Sequence, residues 1–266
     1  MFRTVFLKSL RDQRRGLIWW TVGLVSFAVY TISFYPTISG NAEQFGRLFD
    51  ELPKELRALV GVSSDVITPE GYLSQQLFQL TVPLLFLIFT IRLGARAIAG
   101  EERAGTLDLL LSTPIARWRV VIDKFLAMAV GLALVGAAFL VAVAATLPLF
   151  DVHVSTVRLS EAMLSAVLVG LVFGTLALAV GCATGSRGVA VGVATALGVA
   201  AYSVNALSAL VPALDVPARF SPFYYYGASQ PIRNGLDPLH VAVLLSLIVA
   251  LAVLSVAAFQ RRDVAV

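Results

Sequence analysis

Charge is scarce in this sequence. Of its 266 residues 14% are Asp, Glu, Lys or Arg and 58% are hydrophobic. A soluble domain carries about 25% charge, so a soluble globular protein is excluded. Cysteine occurs once, as Cys182, which rules out an internal disulfide. Lysine occurs only at Lys8, Lys54 and Lys124, never after a glycine. There is thus no GxxxxGK[ST] phosphate loop, and no nucleotide hydrolysis is expected in this chain. His153 and His240 are the only histidines and lie far apart. No HExxH, Cys/His cluster or Gly-x-Ser-x-Gly elbow occurs, which disfavours an intramembrane enzyme. No charged side chain falls near the middle of an apolar run. Ion-coupled transporters usually need such groups, so that class is disfavoured too.

What is present is six apolar runs, at 16–35, 77–98, 125–147, 160–182, 189–210 and 239–259. Each reaches the roughly 20 residues that a helix needs to cross a bilayer. The remaining chain is too scattered for a separate soluble domain. The fold class expected is an all-α integral membrane protein, one membrane domain over 1–266.

Ahead of the first run, Phe2, Phe6 and Leu10 recur at helical spacing, with Arg3, Lys8, Arg11, Arg14 and Arg15 beside them. The spacing predicts an N-terminal amphipathic interfacial helix over 1–15, on an anionic leaflet of membrane lipids; a merely basic tail is the alternative. Residues 36–75 form the longest polar excursion, with two short helices expected either side of Pro53. Thr68-Pro69-Glu70 reads as a helix start. A helix from Pro69 to Ile98 would be about 45 Å long at 1.5 Å per residue. It should protrude, tilt, or kink at Pro83. Arg92 and Arg96 sit one turn apart at its end. They either snorkel to the headgroups or support the following loop through Glu101 or Glu102.

Glycines at 170/174, 181/185 and 188/192, continued by Ala194/Gly198, form small-residue stripes that let helices approach closely. They serve packing within the bundle or a subunit interface. Residues 211–237 are rich in Pro and aromatics: an interfacial aromatic belt, or a re-entrant helix pair shielded by protein.

Placing both termini in the cytoplasm puts 14 of the 20 basic residues inside. The other six, Arg47, Lys54, Arg57, Arg158, Arg219 and Arg233, fall outside. The rule counts basic residues, so this split decides the orientation.

The segment Gly100–Pro114 then faces the cytoplasm between spans 2 and 3. Gly105 permits a tight bend. Thr106 can cap a short helix with Asp108 in its first turn. Leu107, Leu109, Leu110 and Leu111 make that helix strongly apolar, and Pro114 ends it. Leucines exposed there want a partner surface or the headgroup region.

Gly100-Glu-Glu-x-x-Gly-Thr-Leu-x-x-Leu-Leu-x-Thr-Pro resembles the coupling-helix signature of permease subunits of type-2 ATP-binding cassette (ABC) exporters. The order of N-terminal helix, six spans, aromatic segment and terminal Arg-Arg-Asp is similar to that family over essentially the whole chain. The resemblance implies a homodimer of permeases with two copies of a separate ATPase subunit, which binds ATP and Mg. Glu101, Glu102, Gly105, Thr106, Leu107, Leu110 and Pro114 match the motif and would dock on the ATPase. It implies a prokaryotic inner-membrane location and no cofactor in this chain; no nucleic-acid partner is expected. The uncharged spans suggest a hydrophobic or amphipathic substrate. The competing reading is a non-transporting membrane anchor or assembly factor that recruits a soluble cytoplasmic partner.

Overall fold

The computed structural model describes residues 5–41, 68–107, 115–208, 210–227, 232 and 234–262. Helix α1 runs Val5–Ser33 without a break. The basic N-terminal stretch is therefore the start of the first span's helix rather than a helix divided from it. The reason is local: Gly16 is the sole weak position there, and one interior glycine costs only about 1 kcal/mol. Val5 and Ser9 turn inward. Helix α2, Tyr35–Gly40, follows with Pro36 in its first turn. The two short helices expected around Pro53 lie outside the described residues.

The Thr68 signal is realised in α3, Pro69–Leu73: Thr68 accepts a hydrogen bond from the Gly71 N–H at 3.1 Å. A π-helical turn, Ser74–Phe78, leads to a break at Gln79 and Leu80 before α4, Thr81–Ala97. The kink expected at Pro83 thus appears a turn earlier. Pro83 occupies the first turn of α4, where its missing N–H is harmless, and its ring clashes with a helical carbonyl four residues back, at Gln79. Leu80 absorbs the change with φ −133° and ψ −46°.

A short α5, Ala99–Arg103, precedes the long α6, Arg117–Thr146. After a 3-10 turn, Asp151 takes the left-handed conformation and α7 runs Thr156–Thr184. Gly185, at φ +65°, turns the chain into α8, Arg187–Ser208. Short helices α9, Asp215–Ala218, and α10, Pro222–Gly227, lead to α11, Pro238–Arg261, which Asp237 caps at Leu239. Among the described residues six helices, counting α1 with α2 and α3 with α4, are long and apolar enough to cross a membrane.

Helix α7 is the hub. It packs against α4, α6, α8 and α11. Some 72% of its apolar stretch is buried, against 17% for α8 and for α11, so the last two form the periphery. The closest approach is between α4 and α7. Gly170 and Gly174 lie against Phe86 and Thr90, and Gly94 against the Gly174 carbonyl. Thr90 Oγ1 donates to the Gly170 carbonyl at 2.7 Å. That pair of glycines serves packing within the chain. Gly192, by contrast, faces open space on the outer side of α8.

The aromatic segment before α11 divides in two. Phe220 is 84% exposed, as a belt residue would be. Phe223 and Tyr226 are buried, as in the re-entrant reading. The Phe223 ring meets Phe173 and Tyr202 at centroid distances of 5.6 and 5.4 Å. Ser221 Oγ donates to the Ala201 carbonyl at 2.9 Å. The Tyr226 hydroxyl donates to the Phe78 carbonyl beside the break in the second span. Irregular backbone within a membrane is tolerable where protein surrounds it and supplies donors, as Tyr226 does here.

Candidate functional site

The segment after α4 is a turn held from several sides. The chain leaves α4 at Ile98, with φ −113° and ψ −58°, and makes the single turn of α5. Gly105 then adopts φ +65°. Its N–H donates to the Glu102 carbonyl and the Thr106 N–H to the Glu101 carbonyl, both at 3.0 Å. These are the paired bonds of a Schellman turn, which satisfies the last carbonyls of a helix and favours glycine at its left-handed position. Nothing lies within 4 Å of where a Gly105 Cβ would stand. Backbone conformation alone asks for glycine here. Gly105→Val should therefore cost about 1–2 kcal/mol locally and leave the bundle intact. Trypsin cleavage after the exposed Arg103 should quicken while the global unfolding midpoint holds; unchanged cleavage would show that the turn does not depend on Gly105.

Two carboxylates brace the turn. Glu101 accepts from Lys124 Nζ at 2.6 Å through Oε1 and from Thr106 Oγ1 at 2.5 Å through Oε2. Burial alone would raise the Glu101 carboxyl. The hydrogen bonds from Lys124 and Thr106, with the charges of Lys124 and Lys8, outweigh it and hold the group below its ordinary value. Glu102 Oε1 accepts from the Arg262 guanidinium. Arg117 Nη1 in turn donates to the Arg262 carbonyl at 3.0 Å. The Arg262 side chain occupies the space that a Cβ on Gly185 would fill.

Arg92 and Arg96, expected as possible support for this loop, make no ion pair with Glu101 or Glu102 among the described residues. Lys124 and Arg262 pair with these acids instead, from other helices. Among the described residues neither the Arg92 nor the Arg96 side chain has a hydrogen bond or ion pair, and both are exposed. Leu107 is a second correction. Expected on the docking surface, it is 1% exposed and packs with Val5, Ile98, Val120, Val121, Leu178, Cys182 and Phe259. It anchors the loop to its own bundle. Leu110 and Pro114, the remaining candidate residues, lie outside the described residues. Lys124 carried a legible signal, since an ammonium at the edge of an apolar run needs a counter-charge. The pairing of Glu102 with Arg262 carried none.

Beside the loop lies a cleft of about 480 Å³ between α1, α4, α5 and α6. Among the described residues Arg15, Arg92, Arg96, Arg103, Lys124 and Arg187 line it, with Asp12 and Glu101 as the acids. A second groove, of about 310 Å³, lies between α4 and α8 and is walled by Leu84, Ile88, Val191, Val199 and Phe223. Arg92 and Arg187 line both. Among the described residues no group of three His, Cys, Asp or Glu could hold a metal ion.

A six-span helical bundle with a braced loop at the end that carries both termini, and an apolar groove along its side, is the build of a membrane transport component. The chain belongs to the ABC-2 family transporter proteins, whose family model matches residues 3–264. It is a multi-pass membrane protein and a subunit of an ABC transporter. No curated protein matches it.

Proposed function

We propose that this chain is the permease of an ABC exporter in a prokaryotic inner membrane, with both termini in the cytoplasm. Two copies pair, and each pairs with a separate ATPase subunit that binds ATP and Mg. The loop from Gly100 to Pro114 docks on the ATPase. The substrate is hydrophobic or amphipathic. The observation that carries the reading is the bracing of Glu101 and Glu102, at the start of that loop, by Lys124 and Arg262. A loop tied to two other helices passes a partner's movement into the bundle, whereas an untied linker would absorb it. The groove between α4 and α8 supports an apolar substrate. The open outer face of α8 at Gly192 supports pairing of two copies, since small residues let helices approach closely.

Burying one leucine contributes about 1.5–3 kcal/mol, and a charge in its place adds an unpaired buried group. Leu110→Asp should thus weaken ATPase binding at least about tenfold, the equivalent of 1.4 kcal/mol. Co-purification in mild detergent reads this, and the mass of the complex reads the number of copies. Transport and substrate-stimulated ATP hydrolysis should fall together. Full binding and transport by Leu110→Asp would sink the docking role. An ATPase whose turnover ignores this chain would favour a mere anchor.

The orientation has its own test. Ser39→Cys, exposed at the far end of α2, should react with an impermeant maleimide in intact cells that carry Cys182→Ser. Reaction only after permeabilisation would invert the topology.

A further inference from the structure

Arg92 and Arg187 are unusual in lining two spaces of opposite character. On one side is the cleft, whose six cations face two acids, one of them already committed to Lys124. On the other is the groove, whose wall is almost wholly apolar. Leu84 and Ile88 of α4 and Val199 of α8 line that groove and are 42%, 49% and 59% exposed. Part of its wall is thus exposed on the outer side of the bundle. Phe223 and Tyr202 line it beyond Gly198, so the arginines stand at one end only.

Among the described residues neither arginine side chain has a hydrogen bond or ion pair. Arg187 opens α8, whose first N–H groups add positive potential at the same place. Arginine's planar fork suits the oxygens of phosphate and carboxylate. A volume near 300 Å³ is at the lower end for small-molecule sites. Snorkelling accounts for an arginine's position near a headgroup region. It does not account for two of them from different helices lining one apolar groove.

We propose that Arg92 and Arg187 hold the acidic headgroup of an anionic amphiphile from the leaflet on the termini side, with its chain lying in the groove between α4 and α8. The chain chemistry follows from Leu84, Ile88 and Val199, and the headgroup charge from the arginines. The inference concerns binding. A protein that bound the amphiphile without moving it would keep this inference and lose the exporter reading.

The test uses the full chain in phosphatidylcholine nanodiscs, with bound lipid counted by native mass spectrometry. Lysophosphatidic acid should bind at least about tenfold more tightly than lysophosphatidylcholine of the same chain length, a difference of 1.4 kcal/mol. The double variant Arg92→Gln with Arg187→Gln should lose that preference. Arg219→Gln, an exposed arginine in the connection between α9 and α10, should retain it. Ile88→Trp, which fills the groove and leaves both arginines, should weaken both lysolipids alike. Each variant is first required to elute as wild type on gel filtration, and Arg92→Lys with Arg187→Lys replaces any that does not, with partial retention of the preference expected. Inorganic phosphate should compete only at far higher concentration. Equal binding of the two lysolipids would overturn the inference. So would an unchanged preference in the double variant. Competition by inorganic phosphate at the lysolipid's own concentration would also overturn it, by reducing the site to a phosphate cleft with no chain in the groove.

Discussion

Gly94→Ala should destabilise the bundle by about 3 kcal/mol, near the upper end for overpacking a core. A Cβ at this position would stand 2.1 Å from the Gly174 carbonyl oxygen and 3.1 Å from the Leu178 nitrogen. Both are backbone atoms of α7, so no side chain can swing aside. Helices α4 and α7 would have to separate. That separation also strains the hydrogen bond from Thr90 to the Gly170 carbonyl, and such interhelical bonds are worth about 0.6 kcal/mol on average in membranes. It opens the seat of Gly174 too, where a Cβ would lie 2.6 Å from Thr90 Cβ. Unfolding of the purified chain in mixed micelles by increasing sodium dodecyl sulfate measures the effect. Gly23→Ala is the control, since nothing lies within 4 Å of that Cβ. An unfolding midpoint for Gly94→Ala that matched wild type would refute the close packing of these two spans.

The second large effect is expected at the ion pair between Lys124 and Glu101. Their side chains are 7% and 16% exposed. Removing one partner of a buried pair leaves an uncompensated charge and costs about 3–5 kcal/mol. The residual exposure of Glu101 places this pair at the lower figure, so Lys124→Met should cost about 3 kcal/mol. Adding Glu101→Gln should restore much of the loss, because two neutral side chains carry no buried charge. A double variant no better than the single would show that packing, not charge, is at stake. Acid should have a related effect. The folded Glu101 carboxyl titrates below its unfolded value. Its contribution is therefore fully present above the ordinary glutamate range, near pH 4.3, and is lost as pH falls through the lowered value. Between pH 7 and 6 the pair should contribute a constant amount. Below pH 4 the unfolding midpoint of wild type should fall more steeply than that of Glu101→Gln.

The spans were legible because a bilayer imposes length and apolarity on every crossing segment, and those survive in a single sequence. Local turn chemistry was legible for the same kind of reason. Thr68 before Pro69 and Gly105 after Glu101 and Glu102 each answer to neighbours within a few residues. Pro83 pointed to a break and missed its position by a turn, since the ring acts on the carbonyl behind it. Long-range placement was not legible. Leu107 belongs to the same apolar pattern as Leu110, yet is buried in a cluster with residues of other helices, such as Val5, Val120 and Phe259. Arg92 and Arg96 are nearer to Glu101 in sequence than Lys124 is. Neither pairs with it among the described residues, and the counter-charge comes from the next span's helix. The aromatic run split between surface and interior according to which rings Phe173 and Tyr202 could reach.

The contact between Arg262 and Glu102 also sets an order of events during synthesis. These residues are 160 positions apart. When the ribosome has finished the loop, four of the six spans have still to be made. The second brace cannot close until α11 has entered the membrane and brought Arg262 over Gly185. A half-made chain therefore displays a loop held by its turn and, once α6 emerges, by Lys124, but not yet fixed to the last span. A partner that requires the fully tied loop would bind finished chains and pass over nascent ones.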